Sequence, residues 1–373
     1  MPTQPRDPAQ RRASLPLAPH SRRKGCKRKR RAPLTLRRLP NELVLTVFEL
    51  AGTHAAVTGL SVNREWRNVL ILLPTLFRAI SLPSHAIALV LMPLSVVQLD
   101  LTAPPYSDTS LLSQAISRAV NLTTLRVFSP AASAALLLTP ASLPATITSL
   151  HITFPHHLDS PAICFPPLSQ ALRGLTSLTV DSTTSPRPVS LKAFLLAFKD
   201  NPRVNILRLI GISMHLLSQL PLAEAFPTLK SLELRSFAIE SVGNLRNLAG
   251  FMRMRGMDVL TLGAMRFRFA EDVSAFLAKL RDAFRGKQVN ELRISFSKDQ
   301  RTRYCVEVSD LVPWTKECGV RRFEFGDGCC VKQSVLTRLF NPKEGKKNGD
   351  KTEMAVFEEC VHVIGTCEIL DNA

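Results

Sequence analysis

Tyrosine and tryptophan are almost missing from this chain of 373 residues, with two of each and aromatics at 6 % of the total. Its apolar content, 45 % of the residues, is therefore mainly Leu, Val, Ile and Ala. That composition makes an aliphatic core, common in helical arrays and repeat proteins. Paired cysteines are missing too. Cys26, Cys164, Cys305, Cys318, Cys329, Cys330, Cys360 and Cys367 form no C-x-x-C pair, and no histidine cluster stands near them at ligand spacing. They read as reduced thiols of an intracellular protein, with no metal or cofactor implied. The first 30 residues hold no apolar core of a secretion signal. Uninterrupted apolar stretches such as Ala86–Met92 fall far short of a membrane span, so no membrane association is expected. A P-loop, a G-x-G-x-x-G after a strand, an H-E-x-x-H and a G-x-S-x-G elbow are all absent. His156-His157 with Asp159 reads as a poor metal site, because adjacent residues of an extended segment point oppositely. Cys329-Cys330 reads as structural.

Acidic residues are missing from one region in particular. Residues 1–38 hold thirteen Lys or Arg against Asp7 alone, so +12 of the net +18 sits there and about +6 is spread over the rest. Residues 1–35 are rich in Pro, Arg, Ser and Lys, too polar to offset the entropy of ordering, and read as a disordered tail. Its densest part is Arg22, Arg23, Lys24, Lys27, Arg28, Lys29, Arg30 and Arg31, eight cations in ten residues. Such a cluster fits the acidic groove of a nuclear import receptor. Non-specific nucleic-acid contact and an inert solvated run are the alternatives.

The chain then changes character. Leu43, Val44, Val47, Phe48 and Leu50 recur at helical spacing after Pro40, and Gly52 is a stop. A second helix is expected over about Ala55–Leu60. A third is expected from Ser61, whose hydroxyl would cap it, carrying Val62, Trp66, Val69, Leu70 and Leu73 until Pro74. Three short helices make a unit too small to bury all its apolar faces without a partner.

From about residue 90 a six-residue pattern, aliphatic-x-x-Leu-x-aliphatic, occurs nine times. Its fourth position falls at Leu99, Leu125, Leu150, Leu178, Leu207, Leu232, Leu260, Leu292 and Phe323, in steps of 25 to 32 residues. The alternation places two apolar side chains on one face of a short strand. Segments between carry helical spacing, as in Leu111-Leu112-x-x-Ala115-Ile116 and Phe276-Leu277-x-x-Leu280. The period resembles that of leucine-rich repeats, whose fold is a solenoid lined by a parallel sheet. One departure stands out. The usual Asn or Cys of the internal hydrogen-bond ladder is replaced by Pro104, Pro130, Pro155, Thr183, Ile212, Phe237 and Met265, which makes the array degenerate. An unrelated α/β protein with a chance period is the alternative.

A second resemblance covers residues 36–82. Leu39-Pro40-x-Glu42-Leu43, Val47-Phe48, Leu60-Ser61-Val62-Asn63-Arg64-Glu65-Trp66-Arg67 and Leu76-Phe77-Arg78-Ala79-Ile80-Ser81-Leu82 stand in the order and spacing of an F-box. Asn63 replaces the usual Cys or Ser, and Phe77 a frequent Trp. The resemblance implies an α/β chain: a small three-helix F-box over 36–82, a leucine-rich-repeat-like solenoid over 83–340, and a polar loop with a C-terminal capping helix over 341–373. It implies a non-catalytic adaptor of an Skp–cullin–F-box ubiquitin ligase, acting in the nucleus, the cytoplasm or both. A Skp-type adaptor protein, and through it a cullin, would be held by Leu39, Pro40, Glu42, Leu43, Val47, Phe48, Leu60, Val62 and Trp66. Leu43 and Phe48 would be the groove anchors, and Trp66 would brace the third helix. An unidentified protein substrate would be met by outward strand positions: Asp100, Arg126, His151, Thr179, Arg208, Glu233, Thr261, Arg293 and Glu324. Their mixed signs name no substrate. A nuclear, nucleic-acid- or chromatin-associated scaffold without a ligase role, motivated by the basic tail, is the competing reading, although the near-balanced body makes nucleic acid the weaker partner.

Overall fold

Alternating aliphatic residues give each short segment one face that must leave water. The segments meet that need by pairing edge to edge. The computed structural model describes residues 40–62, 64–82, 84, 86–102, 116–129, 133, 143–154, 168–182, 188–213, 220–239, 254–267, 269, 272–297, 304–306, 308–326, 329–332, 361–363 and 368–370. The chain divides into residues 1–40, of which only Pro40 is described, and 41–373, which holds every described helix and strand.

Two helices come first, α1 (Asn41–Val62) and α2 (Arg64–Leu70), followed by a 3₁₀ turn at Pro74–Phe77. The strands then begin: β1 (Ala79–Leu82), β2 (Gln98–Leu101), β3 (Thr124–Val127), β4 (Ser149–Thr153), β5 (Ser177–Asp181), β6 (Ile206–Ile210), β7 (Ser231–Arg235), β8 (Ala238–Ile239), β9 (Met257–Phe267), β10 (Val289–Phe296) and β12 (Arg322–Phe325). Helices stand between them: α3 (Ala86–Leu91), α4 (Leu168–Ala171), α5 (Pro188–Leu196), α6 (Leu222–Ala225), α7 (Asp272–Phe284) and α8 (Val308–Cys318). Among the described residues one twelve-stranded sheet runs in the order β1-β2-β3-β4-β5-β6-β7-β9-β10-β12-β14, with β8 beside β9. Here β14 is Val361–Val363. Every pair is parallel. A smaller parallel sheet joins β11 (Tyr304–Val306), β13 (Cys329–Lys332) and β15 (Glu368–Leu370).

Strand follows strand in chain order along the large sheet, the arrangement of a solenoid. The register is strict. Ile80, Leu99, Leu125, Leu150, Leu178, Leu207, Leu232, Leu260, Leu292 and Phe323 are direct lateral neighbours in one row. All are buried, as is the next apolar row from Leu82 to Phe325. A one-residue slip would expose both rows together, which is why the register is firm.

Phenylalanine rings pack against one another from β4 onward along the array. Phe194 stands 5.5 Å from Phe154 and 5.3 Å from Phe198 between ring centroids. Phe267 lies 5.6 Å from Phe276 and 6.1 Å from Phe296. Helix α7 supplies Val273, Phe276, Leu277, Leu280 and Phe284 from one buried stripe. The longer steps that end at Leu292 and Phe323 accommodate α7 and α8, the two best-formed crossover helices.

The missing asparagine ladder has a substitute at the other end of the strands. Thr123 Oγ1 donates to the Val97 carbonyl, Thr148 Oγ1 to Thr123 and Thr176 Oγ1 to Thr148, at 3.1 to 3.3 Å. Thr146 Oγ1 reaches Leu122 at 2.8 Å, Asn201 Nδ2 reaches Leu172 at 2.9 Å, and Thr228 Oγ1 reaches Pro202 at 2.6 Å. Each bond spans one repeat. These residues lie just before or in the strand pattern, so the ladder is legible as threonine at the pattern's second position once the register is known.

Four local expectations are corrected. The segment Arg78–Leu82 closes the 36–82 match, yet it supplies the first strand of the sheet, so the array starts a repeat earlier than residue 83. Its Phe77-x-x-Ile80-x-Leu82 has the strand pattern with Ile for Leu. The third helix begins at Arg64 and ends at Leu70, and Ser61 Oγ donates back to the Thr58 carbonyl at 2.8 Å in place of capping it. The expected C-terminal helix is interrupted, since Val361–Val363 is a strand on β12. Two β-branched residues at alternate positions suit an edge strand better than a helix. Residues 351–360 lie outside the described ones, as do the basic cluster, Leu39, residues 111–115 and His156-His157-Asp159.

Candidate protein-interaction surfaces

The first surface is the helical unit. Helix α1 is broken at Gly52, whose φ of 81° and ψ of −179° belong to the region only glycine enters freely. By length and a mean hydropathy of 1.5 over eighteen residues, Asn41–Val62 would pass as a membrane span, unlike any uninterrupted apolar run. The break leaves two rods of about 15 Å each, half of a ~30 Å hydrocarbon core. They fold on each other instead. Gly59 makes that approach possible: a Cβ there would stand 2.8 Å from both the Phe48 ring and Leu70 Cδ1. Phe48 packs edge-on against Trp66 at 5.4 Å, and Arg67 Nε donates to the Leu60 carbonyl at 3.1 Å.

This packing sorts the residues assigned to partner docking. Phe48 and Leu60 are buried inside the unit, so neither is a surface anchor; Phe48 fills the space that Gly59 leaves, and the Leu60 carbonyl is bonded by Arg67 of α2. Trp66 is half-buried. Pro40, Glu42, Leu43, Val47 and Val62 are exposed. Leu43 is 51 % exposed, and Leu50, which the motif does not contain, is 85 % exposed. Positions 43, 47 and 50 share one stripe of the first rod. Leu72 and Ile71, after α2, are exposed as well.

The second surface is the polar face of the large sheet. The nine outward positions read from the sequence are consecutive neighbours in one row: Asp100, Arg126, His151, Thr179, Arg208, Glu233, Thr261, Arg293 and Glu324. Neighbouring strands stand about 4.8 Å apart, so opposite charges on the row meet. Arg126 lies 4.0 Å from Asp100. Glu233 is held by Arg208 Nε at 2.7 Å and by Arg235 Nε from its own strand. Arg293 Nε reaches Glu291 at 3.0 Å and Glu324 at 3.3 Å. Mixed signs, uninformative along the chain, are thus pairs across strands.

Two of the nine are buried, and only Arg126 is exposed. Thr179 is buried between larger neighbours, and Glu233 lies beneath its two arginines. His151 is partly buried, with its ring 5.1 Å from Phe128 and its Nε2 buried without a hydrogen bond among the described residues. Burial pushes its pKa below the usual value, with Asp181 and Asp100 opposing and Arg126 and Arg208 assisting. Arg235 was not among the outward candidates, because it sits two residues beyond the central position. Its space comes from Gly263, its lateral neighbour, where a Cβ would press on Arg235 Cγ at 3.0 Å.

Around these groups the face forms a concavity of about 560 Å³, lined among others by Arg208, Glu233, Arg235, Val259, Thr261 and Arg293. Guanidinium forks over carboxylates recognise charged and amide groups by directed hydrogen bonds. No group of three or more His, Cys, Asp or Glu that could hold a metal occurs among the described residues. Cys318 is buried, and burial pushes its thiol up to about 11, away from the reactive range. A scan against protein-family models and a search of curated proteins find no match to this chain.

Proposed function

We propose that this chain is the substrate-recognition subunit of an Skp–cullin–F-box ubiquitin ligase. The helical unit is the F-box and docks a Skp-type adaptor protein, which brings the cullin. The solenoid is a leucine-rich-repeat-like array whose polar face holds a protein substrate. Ubiquitin transfer takes place on other subunits. The basic tail is read by a nuclear import receptor, giving access to the nucleus as well as the cytoplasm.

The observation that carries the reading is the exposed stripe of Leu43, Val47 and Leu50 on a rod whose opposite face buries Val44 and Phe48. A helix with a sealed inner face and an apolar outer stripe, preceded by Leu39-Pro40 in motif order, fits the groove of a partner. The exposed set is also smaller than the motif set, so it supplies sharp variants. Leu43→Glu with Val47→Glu leaves the buried residues untouched. It should lower co-purification of a Skp-type adaptor and cullin about tenfold or more while leaving the thermal transition in place. Undiminished recovery of the adaptor would sink the proposal. Recovery of the adaptor without cullin would favour a scaffold role outside the ligase.

A further inference from the structure

The arginines of the concavity are arranged in an unusual way. Every ion pair made by Arg208, Arg235 and Arg293 to a carboxylate runs through Nε. The carboxylates lie beneath: the Glu233 side chain is 10 % exposed, against 57 % for Arg235. Arg208 Nη1 approaches Ser177 Oγ at 3.4 Å, but no other terminal guanidinium nitrogen of the three meets a partner among the described residues. Each guanidinium is therefore held along its Nε edge and offers its two-nitrogen end to solvent. An arginine pinned from below has already lost much of its rotamer freedom, so a ligand carboxylate meets a preorganised fork. Three such ends occur within one concavity.

The remaining lining is not uniformly polar. Val259 belongs to the same face, on the row where β5 and β7 carry Ser177 and Ser231; Ile210 stands on another row, level with Asp181 and Arg235. A volume of about 560 Å³ exceeds what a single ion needs; it falls in the ~300–1,000 Å³ range of ligand pockets.

We propose that this concavity binds an extended acidic peptide segment of a protein partner, with its carboxylates on the forks of Arg208, Arg235 and Arg293 and an aliphatic side chain against Val259. The spacing is specific. Strands β6 and β10 lie three steps apart in the sheet. At about 4.8 Å per step, Arg208 and Arg293 stand roughly 14 Å apart, which an extended chain covers in about four residues. The segment crosses the strands and carries acids about four residues apart, with an apolar residue between. This inference rests on the reading of the array as the substrate-holding part. It is tested on the full chain without any adaptor, so its failure and the failure of adaptor docking are distinguishable.

The probes are fluorescein-labelled nine-residue peptides with glutamate at the third and seventh positions and leucine between. Companion peptides carry glutamine or phosphoserine in place of both glutamates. Fluorescence anisotropy should show the glutamate peptide bound about tenfold or more tightly than the glutamine one. Arg235→Gln and Arg293→Gln should each cost about tenfold, and Arg285→Gln, just after α7, should cost nothing. Because Arg235→Gln removes a partner of Glu233, Thr261→Glu serves as a second variant. It places a carboxylate among the forks without deleting any pair, and should abolish peptide binding with the thermal transition retained. Equal binding of the glutamate and glutamine peptides would overturn the inference. So would full binding by Thr261→Glu, a preference for phosphoserine, or displacement by a single-stranded RNA oligonucleotide.

Discussion

His151 shows how position changes the meaning of one residue. In the sequence it is an alternate, outward position like its neighbours. In the sheet it lies beside Phe128, with Asp181, Asp100, Arg126 and Arg208 as the charged groups around it. Desolvation lowers its pKa, so the unfolded chain binds the proton before the folded one does. The stability that follows is complete above the unfolded value near 6.5 and declines as pH falls through it. Denaturant titrations at pH 7.5 and 5.5 should show a loss on acidification that is smaller in His151→Gln. An identical loss in both proteins would show that the imidazole is not a linked group.

Among the elements, the crossovers are tied to each other by side chains as well as by strands. Asn201 is the best example, because it is buried and bonds twice: its Nδ2 donates to the Leu172 carbonyl at 2.9 Å, and its Oδ1 accepts from the Arg203 N–H at 3.1 Å. Asn201→Ala leaves the Arg203 N–H without its side-chain acceptor and the Leu172 carbonyl with the Leu175 N–H alone, and should lower unfolding free energy by about 1–3 kcal/mol. An exposed rung such as Thr148 is worth less, since water replaces the hydroxyl. Urea denaturation measures the difference. A change below a few tenths of a kcal/mol at Asn201 would mean that the rung carries no stability. The elements also explain why the helical unit was only half legible. Motif order located it, and Gly52 marked its break. Which of Leu43, Val44, Val47 and Phe48 faces inward depended on Gly59 admitting Phe48, a contact between residues eleven apart in the chain.

For the whole molecule, strand order equals chain order, so each repeat touches mainly its neighbours. Stability in such an array is close to a sum of repeat and interface terms. Leu178, buried on β5 with Leu150 and Leu207 as its lateral neighbours, sits in the middle. Leu178→Ala should remove about 2–5 kcal/mol locally. Hydrogen exchange should then show β4 to β6 losing protection well before β9 and β10. Uniform loss across the sheet would instead mark a single cooperative unit. The same scale accounts for the charge pattern. Thirteen of the cations stand in residues 1–38, and on the sheet Arg126, Arg208, Arg235 and Arg293 face carboxylates of the same or neighbouring strands.

Periodicity made the parallel α/β array, its strand positions and its outward row readable before any coordinates, because a six-residue pattern repeated nine times has one way to bury all its leucines. The first strand was hidden because its residues also complete the 36–82 motif. The C-terminal strand was hidden because a short apolar segment satisfies helical and strand spacing equally. Lateral neighbours 25 to 32 residues apart are invisible to any local window. Register alone puts Arg208 and Arg235 over Glu233, turns scattered threonines into a ladder, and gathers three guanidinium forks into one concavity.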